Sequence, residues 1–190
     1  MIDQIRKTPE LAPYLTSDIE DTGIVVEVDP KVVDEEFTGI KVDSYYAGLK
    51  SASTPKSVDF VVPVDCSCDV YNLYVIELKN VKDSRKIIIK EIHEKFTTTI
   101  DDFLSNRFKE IFLNDRYSYR NIHLYLIADV YHAGGRFSNH KEYFEFMKKC
   151  KGRDTLKVEL NLSSKLFRFK GKTLWIQYDI PPNPIIRKDT

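Results

Sequence analysis

Ser57-Val58-Asp59-Phe60-Val61-Val62 and Tyr74-Val75-Ile76-Glu77-Leu78-Lys79 are the stretches from which the fold of this 190-residue chain is read. Both are apolar, largely β-branched runs of strand character. Asp59 stands where the run to Val64 begins, and Glu77 stands where Leu73-Tyr74-Val75-Ile76 ends. A strand over 71–79 alternates its side chains, so Glu77 and Lys79 share one face while Ile76 and Leu78 enter a core on the other. Two such strands with acids at facing ends bring two carboxylates and one lysine together. An acid-x-Lys spacing is common by itself, and Asp29-Pro30-Lys31 is another. The plainer reading of the pair is a hairpin with solvated ends.

Two carboxylates and a lysine suit hydrolysis of a phosphodiester, which is anionic, repels hydroxide and has a poor leaving group. Carboxylate oxygens bind a hard divalent cation such as Mg²⁺, which keeps several waters and lowers their pKa. A lysine ammonium holds the attacking water and neutralises charge on the phosphorane. On these residues, over about Ser57 to Phe112, the chain resembles the PD-(D/E)XK nuclease superfamily, with Asp59 matching its aspartate, Glu77 its second acid and Lys79 its lysine. The residue before Asp59 is Val58 in place of the family's proline, which members often lack, and the nearest upstream proline is Pro55. The resemblance implies Asp59, Glu77 and Lys79 as catalytic residues, and a metal held by Asp59, Glu77 and the backbone carbonyl of Leu78. It also implies that a helix upstream contributes a further acid, for which Glu36 and Asp43 are the candidates.

Composition agrees with a folded globular domain: 42% of residues are hydrophobic and 31% charged, ordinary values for a single core of this length. No apolar run approaches the roughly 20 residues that span a bilayer, and Met1-Ile2-Asp3-Gln4 lacks the pattern of a signal peptide. The expected setting is the cytoplasm, without membrane contact. Cys66, Cys68 and Cys150 are too few for a disulfide framework, and Cys66-Ser67-Cys68 lacks zinc-ligand spacing, so the hairpin cysteines read as reduced thiols. Formal net charge is zero, with 29 basic and 29 acidic residues. Residues 1–50 carry 5 basic and 11 acidic side chains, and residues 141–190 carry 12 and 6. The carboxyl-terminal part is therefore the candidate electrostatic footprint for nucleic acid.

Outward from the two strands, Pro13-Tyr14-Leu15 ends a first short helix, and Ile24 to Val28 reads as a strand between Gly23 and Asp29-Pro30. Residues 31–49 have an ambiguous pattern and are expected to hold a helix carrying Glu35, Glu36 and Asp43, ahead of a loop from Lys50 to Lys56. After Lys79, apolar residues at 88, 92, 96, 100, 103, 104, 108 and 111 predict a long amphipathic helix. Lys90 with Glu94 and Glu91 with Lys95 form i,i+4 pairs on its wetter faces, Thr97 to Thr99 bend or interrupt it, and His93 flanks its apolar stripe. Asn121 to Tyr131 reads as a central strand, His132 to Arg136 as a flexible connection, and Asn139 to Cys150 as a helix with a capping box at Asn139 and Glu142. Strands are expected over Leu156 to Leu162, Leu166 to Phe169 and Leu174 to Ile180. Lys165, Arg168, Lys170 and Lys172 decorate the last hairpin as candidate nucleic-acid contacts, with Phe167, Phe169 and Trp175 as its packed underside.

The expected architecture is one α/β domain over residues 1–190, with a mixed central sheet flanked by helices, restriction endonuclease-like, and a C-terminal β-hairpin region. The expected activity is Mg²⁺-dependent hydrolysis of double-stranded DNA, with Mn²⁺ as a substitute metal. Among known nucleases a small free-standing chain is most similar to a type II restriction endonuclease. One site per chain then implies a homodimer matched to the two-fold axis of the DNA, and a restriction role implies a companion DNA methyltransferase acting on the same sequence. A structure-selective repair or recombination nuclease and a non-catalytic nucleic-acid-binding protein are the alternatives.

Overall fold

The hairpin that holds Cys66 and Cys68 lies at the centre of a mixed sheet. The structure is a computed structural model and describes residues 1–49, 53–81, 86–128, 142, 145, 149, 153–181 and 184–188. Its strands are β1 (Leu15–Thr16), β2 (Glu20–Asp21), β3 (Ile24–Val25), β4 (Gly39–Lys41), β5 (Phe60–Asp65), β6 (Val70–Lys79), β7 (Ser118–Ala128), β8 (Leu166–Phe169) and β9 (Lys172–Asp179). Seven of them form one sheet in the order β1-β4-β5-β6-β7-β9-β8, and β2 and β3 pair as a separate ribbon. β6 with β7 and β7 with β9 run parallel, and the other neighbours are antiparallel.

Among the described residues the helices with continuous spans are α1 (Ile2–Arg6), α2 (Val42–Gly48), α3 (Ile89–Thr97), α4 (Lys109–Phe112) and α5 (Arg153–Ser163), with a π-helical stretch, Thr98–Arg107, between α3 and α4. All of them send apolar side chains into one core, which meets the sheet at Val61, Leu73, Val75, Leu124, Leu126 and Ile176. The alternate residues Phe60, Val62, Val64, Tyr74, Ile76, Leu78 and Ile127 form a second core on the other face. Among the described residues no α-helix contributes to that core. It is closed by Ile19, Ile24, Val26, Val32, Phe37 and Ile186. Among the described residues no helix is long and apolar enough to cross a membrane.

Several expectations are corrected. Residues 31–49 hold a 3₁₀ turn (Asp34–Glu36), strand β4 and helix α2, because Gly39 and Ile40 pair with β1 and β5. The strand expected from Ile24 to Val28 is two residues long. Leu156 to Leu162 lies within helix α5: Val158 and Leu162, four apart, are buried, while Leu160 is exposed. The long helix after Lys79 is present from Ile89, and the threonines mark its change to π geometry. Thr97 and Thr99 hydroxyls donate to the carbonyls of His93 and Lys95 four residues back, a bond that competes with regular helix pairing and bends the backbone.

The last hairpin turns through Lys170 and Gly171, both with positive φ, the geometry that matches the twist of a two-residue hairpin. Phe167 and Phe169 pack inward as expected, whereas Trp175 faces away from them and is 49% exposed. In the β5–β6 hairpin Cys66 is buried and Cys68 exposed, and both are free thiols. Residues 129–131 of the expected strand and the expected connection His132 to Arg136 lie outside the described residues. So does most of the helix expected from Asn139 to Cys150, of which Glu142, Glu145 and Lys149 are described and are helical.

Candidate active site

Antiparallel pairing of Phe60 with Ile76, continued by one residue, sets Asp59 opposite Glu77. Both acids fall on the helix-covered face, in register with Val61 and Val75. The Leu78 N–H donates to Asp59 Oδ2 at 2.6 Å, and the Val42 N–H donates to the Asp59 carbonyl at 3.0 Å, so β6 and the first residue of α2 hold Asp59 from either side. Glu77 has no solvent exposure. Lys79, two residues on, places Nζ 3.3 Å from Glu77 Oε1 and keeps a third of its side chain exposed. Three of the sequence-predicted residues and the Leu78 backbone therefore meet at one end of the sheet.

A fourth side chain belongs to the cluster. Lys95, from α3, donates to both oxygens of Glu77 at 2.7 and 2.8 Å and lies 3.9 Å from Asp59 Oδ1. Its side chain is 18% exposed. The sequence reading put Lys95 on a wet face beside Glu91, and that is corrected: Glu91 and Glu94 both pair with Lys56 instead, at 3.1 and 3.6 Å. The sequence does carry a trace of this inward turn, since Lys95 falls three residues after the buried Ile92 and four before the buried Thr99. Thr99 accepts the Val58 N–H at 3.2 Å, which pins the helix against the start of β5.

The two upstream acids part company. Asp43, in the first turn of α2, is close enough for its negative charge to raise the pKa of both Asp59 and Lys95. Glu36 is ion-paired with Lys188, and no bond joins it to the cluster. His93 Nε2–H donates to the Leu162 carbonyl, 3.1 Å away, and the ring packs edge-on against Phe167, away from the acids. Of the basic hairpin residues, Lys165 donates to Thr97, Lys170 to the Asn114 carbonyl and Lys172 to the Arg120 carbonyl. Arg168 is exposed.

Burial dominates the electrostatics. It pushes the Asp59 carboxyl up to about 7, aided by the nearby Glu77 charge and opposed by Lys95. Burial raises Glu77 as well, against the pull of Lys95 and Lys79. For Lys95 burial works downward, yet Glu77 and Asp59 together hold the ammonium above its ordinary value. Two buried carboxylates with raised pKa, and a third charge at Asp43, favour an added cation.

Asp59 and Glu77 offer oxygen donors only, which suits Mg²⁺ or Mn²⁺. Among the described residues no three His, Cys, Asp or Glu side chains stand together as a metal-holding group. An ion here would be held by two carboxylates, the Leu78 carbonyl and water, the sparse protein ligation that Mg²⁺ commonly has. No family model, curated protein or solved structure matches this chain.

Proposed function

We propose that this chain is a Mg²⁺-dependent endonuclease of the PD-(D/E)XK kind, with a restriction endonuclease-like core, acting on double-stranded DNA. The observation that carries the reading is the convergence of Asp59, Glu77 and Lys79 on one buried strand end, with Lys95 added. Asp59 and Glu77 hold the metal, which supplies a water of lowered pKa and charge stabilisation at the phosphate. Lys79 extends from the pair toward solvent, where it holds the attacking water and donates to the phosphorane oxygens. Lys95 orients Glu77. In-line attack by water leaves 5′-phosphate and 3′-hydroxyl ends. With one cluster per chain, cutting both strands calls for a homodimer, and a restriction role calls for a companion methyltransferase.

A second reading follows from Lys95, which takes both oxygens of Glu77: a non-catalytic nucleic-acid-binding protein in which the four charges form a structural network. One experiment separates the two. Purified protein is incubated with long unmethylated duplex DNA in Mg²⁺ or EDTA, beside Lys79→Ala. Discrete fragments that need Mg²⁺ and vanish in the variant are expected. A smear, or cleavage confined to branched substrates, would move the assignment to a structure-selective nuclease. No cleavage of any substrate by folded protein would sink the nuclease reading.

A further inference from the structure

Among the described residues the second core runs over β5, β6 and the end of β7 and includes no residue of β8 or β9. Pairing of Tyr74 with His123 and of Leu166 with Trp175, and of Leu124 with Ile176, sets Tyr74, His123, Trp175 and Leu166 in one row across four strands. The row runs from a buried ring to an open one: Tyr74 stacks on His123 at 5.0 Å and 23°, and Trp175 and Leu166 are 49% and 61% exposed. Beside it lies a shallow groove of about 420 Å³ whose lining includes Asn121, His123, Lys172, Thr173, Trp175 and Gln177. His123 Nε2 is buried there without a hydrogen-bond partner.

The chemistry of this face is specific. A protein-docking core is apolar and depleted of charge. Here the exposed Trp175 and its cross-strand neighbour Leu166 are bordered by amide, hydroxyl and imidazole groups. Arg168, on the same face of β8, stands opposite Thr173, and Lys172 and Arg120 are joined at the groove's end by the 2.8 Å bond from Lys172 Nζ to the Arg120 carbonyl. An indole face for stacking, amides for base edges and cations for phosphates are the complement of an unpaired nucleotide. Bases inside a duplex are already stacked on one another and have no face to offer. We propose that the open half of the sheet binds single-stranded nucleic acid, with a base laid on Trp175 and its phosphates over Arg168, Lys172 and Arg120. The site lies on the face opposite Asp59 and Glu77 and does not depend on the proposed hydrolysis.

Trp175 is the only tryptophan of the chain, so its emission reports on the site alone. The protein in EDTA is titrated with single-stranded oligothymidylate. Saturable quenching is expected, with log affinity falling against log salt at a slope of about −2 for three cations. Trp175→Leu, read by anisotropy of a labelled oligonucleotide, should weaken binding by about ten-fold or more, and Arg168→Glu should weaken it while leaving the melting temperature unchanged. The proposal is overturned if Trp175 is not quenched by acrylamide, if it is quenched by acrylamide but not by the oligonucleotide, if Trp175→Leu keeps wild-type affinity, or if duplex of the same sequence binds equally well. Loss of DNA cleavage in any variant leaves these readouts unaffected.

Discussion

Lys95 is the residue on which the candidate site turns. A carboxylate as buried as Glu77 needs a compensating charge, and removal of one partner from a buried ion pair costs about 3–5 kcal/mol. Lys95→Gln in EDTA should therefore lower stability by about 3 kcal/mol or more. If the pair holds a divalent ion, Mg²⁺ at about 100 times its Kd should return about 2.7 kcal/mol of that by linkage. Glu77→Gln, which removes one of the two carboxylates proposed to hold the ion and leaves Asp59 alone, should lose most of the Mg²⁺ effect. Thermal melts of the three proteins with and without Mg²⁺ check both statements; equal Mg²⁺ shifts in wild type and Glu77→Gln would remove Glu77 from the metal set.

Asp59 adds a pH dependence. Its folded carboxyl titrates near 7 and its unfolded one near 3.9, so between those values the folded chain holds a proton that the unfolded chain has lost. The sign follows: this contribution is complete below about pH 4 and declines as pH rises toward 7, with Glu77 acting in the same direction. Metal-free wild type should lose melting temperature across that window, and Asp59→Asn should lose measurably less. Asp59, Glu77 and Lys79 were legible in the sequence because strand alternation fixes which of them share a face. Lys95 was not, because its place depends on how α3 is rotated over the sheet, and a lysine near Glu91 reads equally well as a solvated i,i+4 partner.

At the scale of elements, the strands that carry the acids were readable from composition, while two other segments were not. In Leu156-Lys157-Val158-Glu159-Leu160-Asn161-Leu162 the apolar residues alternate, which is strand periodicity; yet Val158 and Leu162 also stand four apart, and packing against β9 selects the helix. Residues 39–41 are too short a strand for any periodicity to show. The π-helical stretch after α3 has a physical origin in its hydroxyls and a consequence for the site. The fully buried Thr99 joins it to Val58, the residue before Asp59. Thr99→Val keeps the shape and strands the buried Val58 N–H, at a cost of about 1–3 kcal/mol. It should also weaken Mg²⁺ binding without touching a ligand. Urea denaturation and calorimetric Mg²⁺ titration test it, and Thr99→Ser, which restores the hydroxyl, should recover most of both losses. A Thr99→Val protein with wild-type Mg²⁺ affinity would show that the bond supports the fold alone.

Across the whole molecule, the sheet is closed by helices on one face and by chain from both ends of the sequence on the other. Residues 19–37 cover β5 and β6, and residues 184–188 lie over the same two strands as a strap. Ile186 is fully buried among Phe60, Val62, Tyr74 and Ile76. Its backbone is bonded to Glu27 and Asp29, and the carbonyl of the next residue, Arg187, accepts from Asn72 and Tyr74. Phe60, Ile76 and Leu78 beneath this layer alternate along the same strands with Asp59 and Glu77, so the strap presses on the strands that carry the acids. Ile186→Ala should cost about 2–5 kcal/mol, the usual range for a buried isoleucine truncated to alanine, as a lower urea midpoint with an unchanged slope. Leu160→Ala, on the exposed side of α5, should stay within about 0.5 kcal/mol of wild type. Because the strap and the acids act through the same two strands, Ile186→Ala should also reduce the melting-temperature gain from saturating Mg²⁺. A variant that is destabilised yet keeps the full Mg²⁺ gain would mean that β5 and β6 hold the acids in place without help from the second face.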